Sequence, residues 1–250
     1  NRVDFYLGTS ITSTNYQRNG LFENGNYQGA ESFGKGEKQS FTDFSFKGGA
    51  TYKITGRHLI DVNLGSLSKA PTIRNTFTNA RQNNNVTIGL ESEKIQNIDI
   101  GYIYRSPIVK ARLTGFYSNF SNGTDLGFYF TENLAGLGLE QDAFIQEVMT
   151  NVEKQHIGIE FGIEAQVTPT IKLKGAASMG QYTFNNNPNL YITSDDLDGP
   201  VTFGDGTTKL KDYHVAGGPE KAYQVGFEYR DPKFWWVGLT TNYFSNAYVD

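Results

Sequence analysis

The residues of this 250-residue chain that could do chemistry are charged side chains recurring at even intervals. They are Asp61, Asp99, Lys110 with Arg112, Glu160 with Glu164, Lys172 with Lys174, and Glu228. Paired carboxylates such as Glu160 and Glu164 are the raw material of general acid–base catalysis. On a strand, however, residues four apart point the same way, and here they lie next to Lys172 and Lys174, so mutual neutralisation on a wet surface is the expected role. Lys110 and Arg112 are read the same way, beside Asp99 on a neighbouring strand. The other motifs are incomplete. GAESFGKG (29–36) carries Gly36 where a phosphate-binding loop needs Ser or Thr, and no strand-then-helix context surrounds it. His58, His156 and His214 have neither metal-ligand spacing nor thiols beside them. Asp195, Asp196, Asp198 and Asp205 share a loop with Gly199 and Gly206, an oxygen-rich set that would suit Ca²⁺ but lacks the ordered spacing of a calcium loop. With no GxSxG turn and no cysteine, we expect no catalytic residue, no cofactor and no resident metal, hence no enzyme.

The elements that must position these charges follow from periodicity. IGIEFGIEAQV (157–167) alternates apolar and polar, turns at Thr168, Pro169 and Thr170 into IKLKGAASM (171–179), and is followed by more than thirty polar residues. The same unit recurs, which predicts strands at about 2–16, 41–54, 58–68, 94–105, 109–120, 156–168, 170–184, 221–230 and 234–244. Short turns fall at 55–57, 106–107, around Pro169 and at 231–233. Long loops are expected at 17–40, 69–93, 121–155 and 185–220. Val62, Ile100, Leu113, Ile159 and Leu239 then share one face with the other apolar positions, and the charges named above take the opposite one. From Trp235 to Tyr243 a strand tilted by ~40° projects to about 20 Å, near the ~25 Å apolar band of an outer-membrane barrel. Strands of this length with connections alternating between short and long predict an all-β fold, an antiparallel transmembrane β-barrel of which about nine strands are present.

Composition fits that reading. A mean hydropathy of -0.47 and the lack of any ~20-residue apolar run exclude membrane helices but not a barrel, in which only every second residue meets lipid. Fifteen Tyr and eighteen Phe suit strands and membrane interfaces. A net charge of -4 with both signs interleaved offers no basic stripe, so nucleic acid is not an expected partner.

Three stretches carry a resemblance: GRHLIDVNLGSLSKAPTIRNTFTNARQNN, ESEKIQNIDIGYIYRSPIVKARLTGFYSNF and GGPEKAYQVGFEYRDPKFWWVGLTTNYFSNAYVD. Ala70, Pro71 and Thr72 leaving a strand, the GYIYRSP turn and the FYSNF strand are the most telling parts. The chain resembles the later barrel strands of TonB-dependent outer-membrane receptors, most of all the large kind with an N-terminal carboxypeptidase-regulatory-like domain. The resemblance implies a 22-stranded barrel filled by a separate plug, with plug and terminal strands outside the present sequence. It also implies a multi-pass protein of the Gram-negative outer membrane, in contact with its lipids, that takes up a bulky nutrient under the drive of the TonB complex. Substrate would then meet the long loops and the inward charges, and a surface lipoprotein is a further partner that relatives suggest.

One segment departs from the strand pattern. LEQDAFIQEVMTNVEK (139–154) spaces Phe144, Ile145, Val148, Met149 and Val152 as a helix would, predicting a helix within a long loop. Two rival functions stay open at this stage: a receptor-like barrel serving as a structural subunit of an outer-membrane assembly or secretion complex, and a soluble β-rich binding or adhesin module.

Overall fold

The computed structural model of the chain describes residues 1–132 and 142–249. In chain order the strands are β1 (Val3–Tyr16), β2 (Asn19–Gly20), β3 (Gly34–Lys35), β4 (Gln39–Lys53), β5 (His58–Lys69), β6 (Glu93–Arg105), β7 (Val109–Thr131), β8 (Ala143–Gln166), β9 (Ile171–Phe184), β10 (Asn189–Thr193), β11 (Pro219–Arg230) and β12 (Trp236–Ala247). A single helical turn, α1 (Ile73–Thr76), and a 3-10 turn (Gly29–Glu31) complete the described elements. Nine strands form one antiparallel wall in the order β1-β4-β5-β6-β7-β8-β9-β11-β12, with β10 added to β8. The path is open: β1 and β12 lie at its two ends and do not pair with each other. That is a partial barrel wall, as the sequence predicted.

Four connections are short and lie at one end of the wall, since each joins antiparallel neighbours, and each uses a side-chain oxygen to satisfy turn amides. Thr55 Oγ1 accepts from His58 N at 3.2 Å, and Ser106 Oγ accepts from Val109 N at 2.9 Å. Thr168 Oγ1 accepts from Ile171 N at 3.0 Å, and Asp231 Oδ1 from Lys233 N at 2.9 Å. The longer connections 17–38, 70–92 and 185–218 lie at the other end, where β7 ends at Thr131 and β8 begins at Ala143.

Register sorts the two faces. The apolar residues fall into continuous cross-strand rows, such as Val62–Ile100 on β5 and β6 and Tyr102–Leu113–Phe161–Ala177–Tyr223–Tyr243 from β6 to β12. Most of these side chains stand exposed, Phe5 at 83% and Leu239 at 69% among them, and such a continuous apolar surface needs lipid as its solvent. Near the short turns this face gathers aromatics: His58 contacts Tyr102 and Tyr104, and Tyr229 packs on Trp235 at 5.2 Å between centroids. These rings form an interface girdle.

The predicted helix at 139–154 is not formed. Residues 143–154 are the first half of β8, paired with β7 from Thr131 back to Phe120, while 139–141 lie outside the described residues. The physical reason is twofold. Asn122 and Asn151 adopt positive φ (59° and 55°) where the ladder shifts register, and these bulges break the period of two. Beyond them β8 buries residues of both parities, Ala143 and Ile145 on one face and Gln146, Val148, Thr150 and Val152 on the other, so its apolar pattern imitates a helix. The long loop expected at 121–155 is thus mostly strand. The buried apolar core of the protein sits here, beyond the wall: Ile145 with Ile192 and Ala143, and Leu126 with Val148 and Tyr191.

Candidate functional site

The nine charged residues picked out by even spacing all lie on the face opposite the lipid rows; six of them form ion pairs, only partly those expected from the sequence. Arg112 on β7 reaches across β6 to Asp61 on β5 at 2.9 Å and donates through Nε to Thr114 Oγ1 at 3.0 Å. Asp99 accepts instead from Asn63 Nδ2 at 2.8 Å, and Asn63 Oδ1 takes the Tyr6 hydroxyl at 3.0 Å. Glu164 lies directly across from Lys174 and Gln166 from Lys172, the register implied by the Pro169 turn. The ion pair that forms is diagonal, Lys172 to Glu164 at 3.1 Å, which frees Lys174 to hold Glu228 at 2.9 Å on the next strand. Glu228 also accepts from Arg230 Nε at 2.5 Å. Lys110 and Glu160 make no ion pair among the described residues. Small residues face the lumen between these side chains and give them room: Lys47 lies over Gly8, and Lys174 over Gly226. The wall thus carries paired charges on one face and apolar rows on the other, the two-faced pattern of an outer-membrane barrel strand.

Further toward the long loops the wall changes character. A cavity of about 850 Å³ is lined there by Asn97, Asp99, Thr114, Phe116, Ser118, Glu160, Ser178, Gln224, Asn242 and Phe244 among others. Above it runs a ladder of rings on three adjacent strands, Phe120–His156 at 4.8 Å and His156–Tyr182 at 4.7 Å. Sequence reading missed this band, although Phe116, Phe120, His156 and Tyr182 share the inward parity of the charges.

The loops form a second assembly, a cap over the wall's far end. Arg18 ties three segments together, donating to Ala80 O at 2.7 Å, Ser32 O at 2.6 Å and Asn84 Oδ1 at 2.7 Å. Asn84 reaches back to Ala30 O, Tyr27 donates to Ser194 O at 3.1 Å, and Gln82 donates to Asp195 Oδ2 at 3.2 Å. Ile88 N donates to the Tyr191 hydroxyl at 3.0 Å. Burial pushes the Tyr191 phenol above its usual range, as burial and the nearby Asp195 charge do for Tyr27. Asp195, Asp196 and Asp198 line a cap cavity of about 850 Å³. Asp205 does not join them: it accepts from Thr207 N and Oγ1, which hold its carboxyl below the usual range. Among the described residues no three His, Asp or Glu side chains converge on a metal position. The three histidines are apart, His58 in the girdle, His156 in the ring ladder and His214 against Glu220 at 2.7 Å. Residues 29–36 are the 3-10 turn and β3, a folded arm of the cap and not a phosphate loop.

A family model described as TonB dependent receptor-like, beta-barrel matches residues 3–250, essentially the whole chain. The chain belongs to that family. Solved structures agree in fold. The copper transporter OprC superposes with a TM-score of 0.64 at 14% identity, over 96% of this chain and 32% of its own. The FrpB iron transporter from Neisseria meningitidis gives 0.56 at 14% identity, over 96% and 30%. The ferric-catecholate import receptor Fiu from E. coli K12 gives 0.53 at 16% identity, over 96% and 32%. The chain therefore spans about a third of the length of the structures it matches. No curated protein sequence matches it. Membership places this receptor-like wall among the outer-membrane barrels of TonB-dependent receptors and agrees with the lipid-facing rows.

Proposed function

We propose that this chain is part of an outer-membrane receptor that imports a bulky nutrient, with energy delivered from the periplasm by the TonB complex. The observation that carries the reading is the pairing of two surfaces on one wall: an apolar outer face of barrel height, and an inner face on which Asp61–Arg112, Glu164–Lys172 and Lys174–Glu228 neutralise one another beside water. Such an inner face suits a passage obstructed by a separate plug, because paired charges present hydrogen-bonding groups to a moving polar surface without a net field that would hold it. In this reading the remaining strands and the plug are supplied by other parts of the protein. Selection lies in the cap and the far end of the wall, where Asp99 and Glu160 stand, and the pairs near the short turns line the exit. The protein performs no covalent chemistry.

The test is genetic. A strain lacking the full-length gene and a strain lacking TonB should share a growth defect on at least one bulky nutrient, and re-expression should restore growth only where TonB is present. A receptor-null strain that grows like its parent on every source, or a defect indifferent to TonB, would contradict the reading.

A further inference from the structure

One backbone conformation in the short turns runs against the residue that adopts it. Among the described residues, five other than glycine have positive φ, and four of them are Asn or Asp: Asn122, Asn151, Asp212 and Asn246. Those side chains tolerate the left-handed region. The fifth is Phe234 (φ 66°), in the turn that joins β11 to β12. Two backbone hydrogen bonds hold it there, from Phe234 N to Asp231 O at 3.1 Å and from Asp231 N to Trp235 O at 2.9 Å, where Gly or Asn would close the same turn without strain. The ring makes no compensating contact, because Phe234 is 100% exposed. A bulky apolar side chain kept on a strained backbone without a protein contact points to a partner outside the chain.

The other short turns repeat the theme. Ile54, Ile108 and Val167 are exposed at the three remaining turns, so each short turn carries an apolar residue at or beside its tip, past the aromatic girdle. Cations accompany them. Arg2, Arg57, Arg105 and Lys233 lie at this end, and none forms an ion pair among the described residues. Asp231, the one acid in these turns, already accepts from the Tyr229 hydroxyl and from Lys233 N, each at 2.9 Å. The far end has the opposite sign, with Asp195, Asp196 and Asp198 gathered in the cap. Apolar tips beside uncommitted cations, at one end only, match a phospholipid leaflet, whose acyl region takes the tips and whose phosphates take the cations.

We propose that this rim docks on the phospholipid leaflet at the periplasmic end of the barrel, with Phe234 seated at headgroup level and Arg57 and Lys233 on lipid phosphates, so that anionic phosphatidylglycerol is favoured over zwitterionic lipid. The short turns of outer-membrane barrels face the periplasm, which fixes the leaflet. The surface is separate from the inner wall, and neither cargo nor TonB enters its test.

The full-length receptor is placed in vesicles of phosphatidylcholine with phosphatidylglycerol. A nitroxide attached at Phe234→Cys, in a cysteine-free background, should collide more often with oxygen than with a water-soluble nickel chelate, and one at Asp205→Cys, exposed in the cap, should do the reverse. Receptor lifted from the vesicles should carry phosphatidylglycerol enriched about fivefold or more over the bulk ratio, read by native mass spectrometry. Arg57→Gln with Lys233→Gln should bring that enrichment close to the bulk ratio, whereas the charge-matched pair Lys35→Gln with Lys38→Gln, at the cap end, should leave it unchanged. Phe234→Gly should also lower the enrichment although it frees the backbone of strain, and Phe234→Trp should keep it. Heat-modifiable gel mobility confirms a folded barrel for each variant, with Lys233→Gln alone replacing the rim pair if that pair fails. Nickel collisions dominating at position 234, enrichment that survives loss of both rim cations, or an equal loss with the cap pair would overturn the proposal. The first of these outcomes would assign Phe234 to a periplasmic protein contact instead.

Discussion

Leu113→Arg measures whether the apolar rows face lipid. Leu113 lies midway along the outward run of β7 between Val109 and Tyr117, in the row that includes Tyr102 and Phe161. At ~3.3 Å per residue and a tilt of ~40°, it is about 10 Å from either end of that run, close to the middle of an apolar band ~25 Å tall. A guanidinium there has no wall residue to pair with and must snorkel or thin the bilayer. The expected cost is about 2 to 4 kcal/mol, or roughly 30- to 900-fold in the folded-to-unfolded ratio. Thr240→Arg is the matched control, since Thr240 is exposed on the inner face beside Leu239 and opposite Gly226. Thr114, although inward, is a poor control: it is 8% exposed and hydrogen-bonded by Arg112. The assay is reversible denaturant unfolding of the full-length receptor from lipid vesicles. Equal costs at the two positions, or a larger one at Thr240, would refute the assignment of faces.

Chymotrypsin on intact cells should cut after Phe203, half-exposed in the cap, and spare Phe234, fully exposed in a short turn; permeabilised cells should show both cuts, and cleavage at Phe234 alone would invert the topology. Removing Arg18 by substitution with Ala deprives two carbonyls and the Asn84 side chain of a charged donor, so local opening of the cap should become easier by about 2 to 3 kcal/mol, read as faster hydrogen exchange at Asn84 with the wall unchanged. Glu228→Lys should lower the thermal unfolding midpoint by placing a third cation beside Lys174 and Arg230, and Lys174→Glu in the same chain should recover most of the loss; no recovery would show that the pair is incidental.

The wall was legible in the sequence because period two holds wherever one face meets lipid and the other water, and because Thr55, Ser106, Thr168 and Asp231 mark turns with their own side chains. Nine strands and their facing follow from that alone. The ion pairs were only half legible. Register places Glu164 opposite Lys174, but Lys172 and Lys174 are long enough to choose diagonal partners, and the choice depends on Glu228 on the adjacent strand β11. The cap defeated the reading for a different reason. Two asparagines with positive φ interrupt the ladder of β7 and β8, and beyond them β8 buries residues of both parities, Ile145 beside Gln146, so the alternation is lost. The ring ladder has the right parity, but aromatic residues in a barrel strand are expected at membrane interfaces, and the spacing of the histidines alone does not place His156 between Phe120 and Tyr182.

The burial of Ile145, Val148, Tyr191 and Ile192 beyond the wall has a consequence for how such a protein enters its membrane. These side chains must cross the bilayer as unfolded chain, before the core they build exists. Once β7, β8 and β10 have met beyond the wall, withdrawing any one of these strands would require the core they share to be dismantled first. Insertion thus acquires a direction from packing alone: the cap behaves like the head of a rivet, set after passage, and the wall beneath it is held against slipping back by a few buried residues.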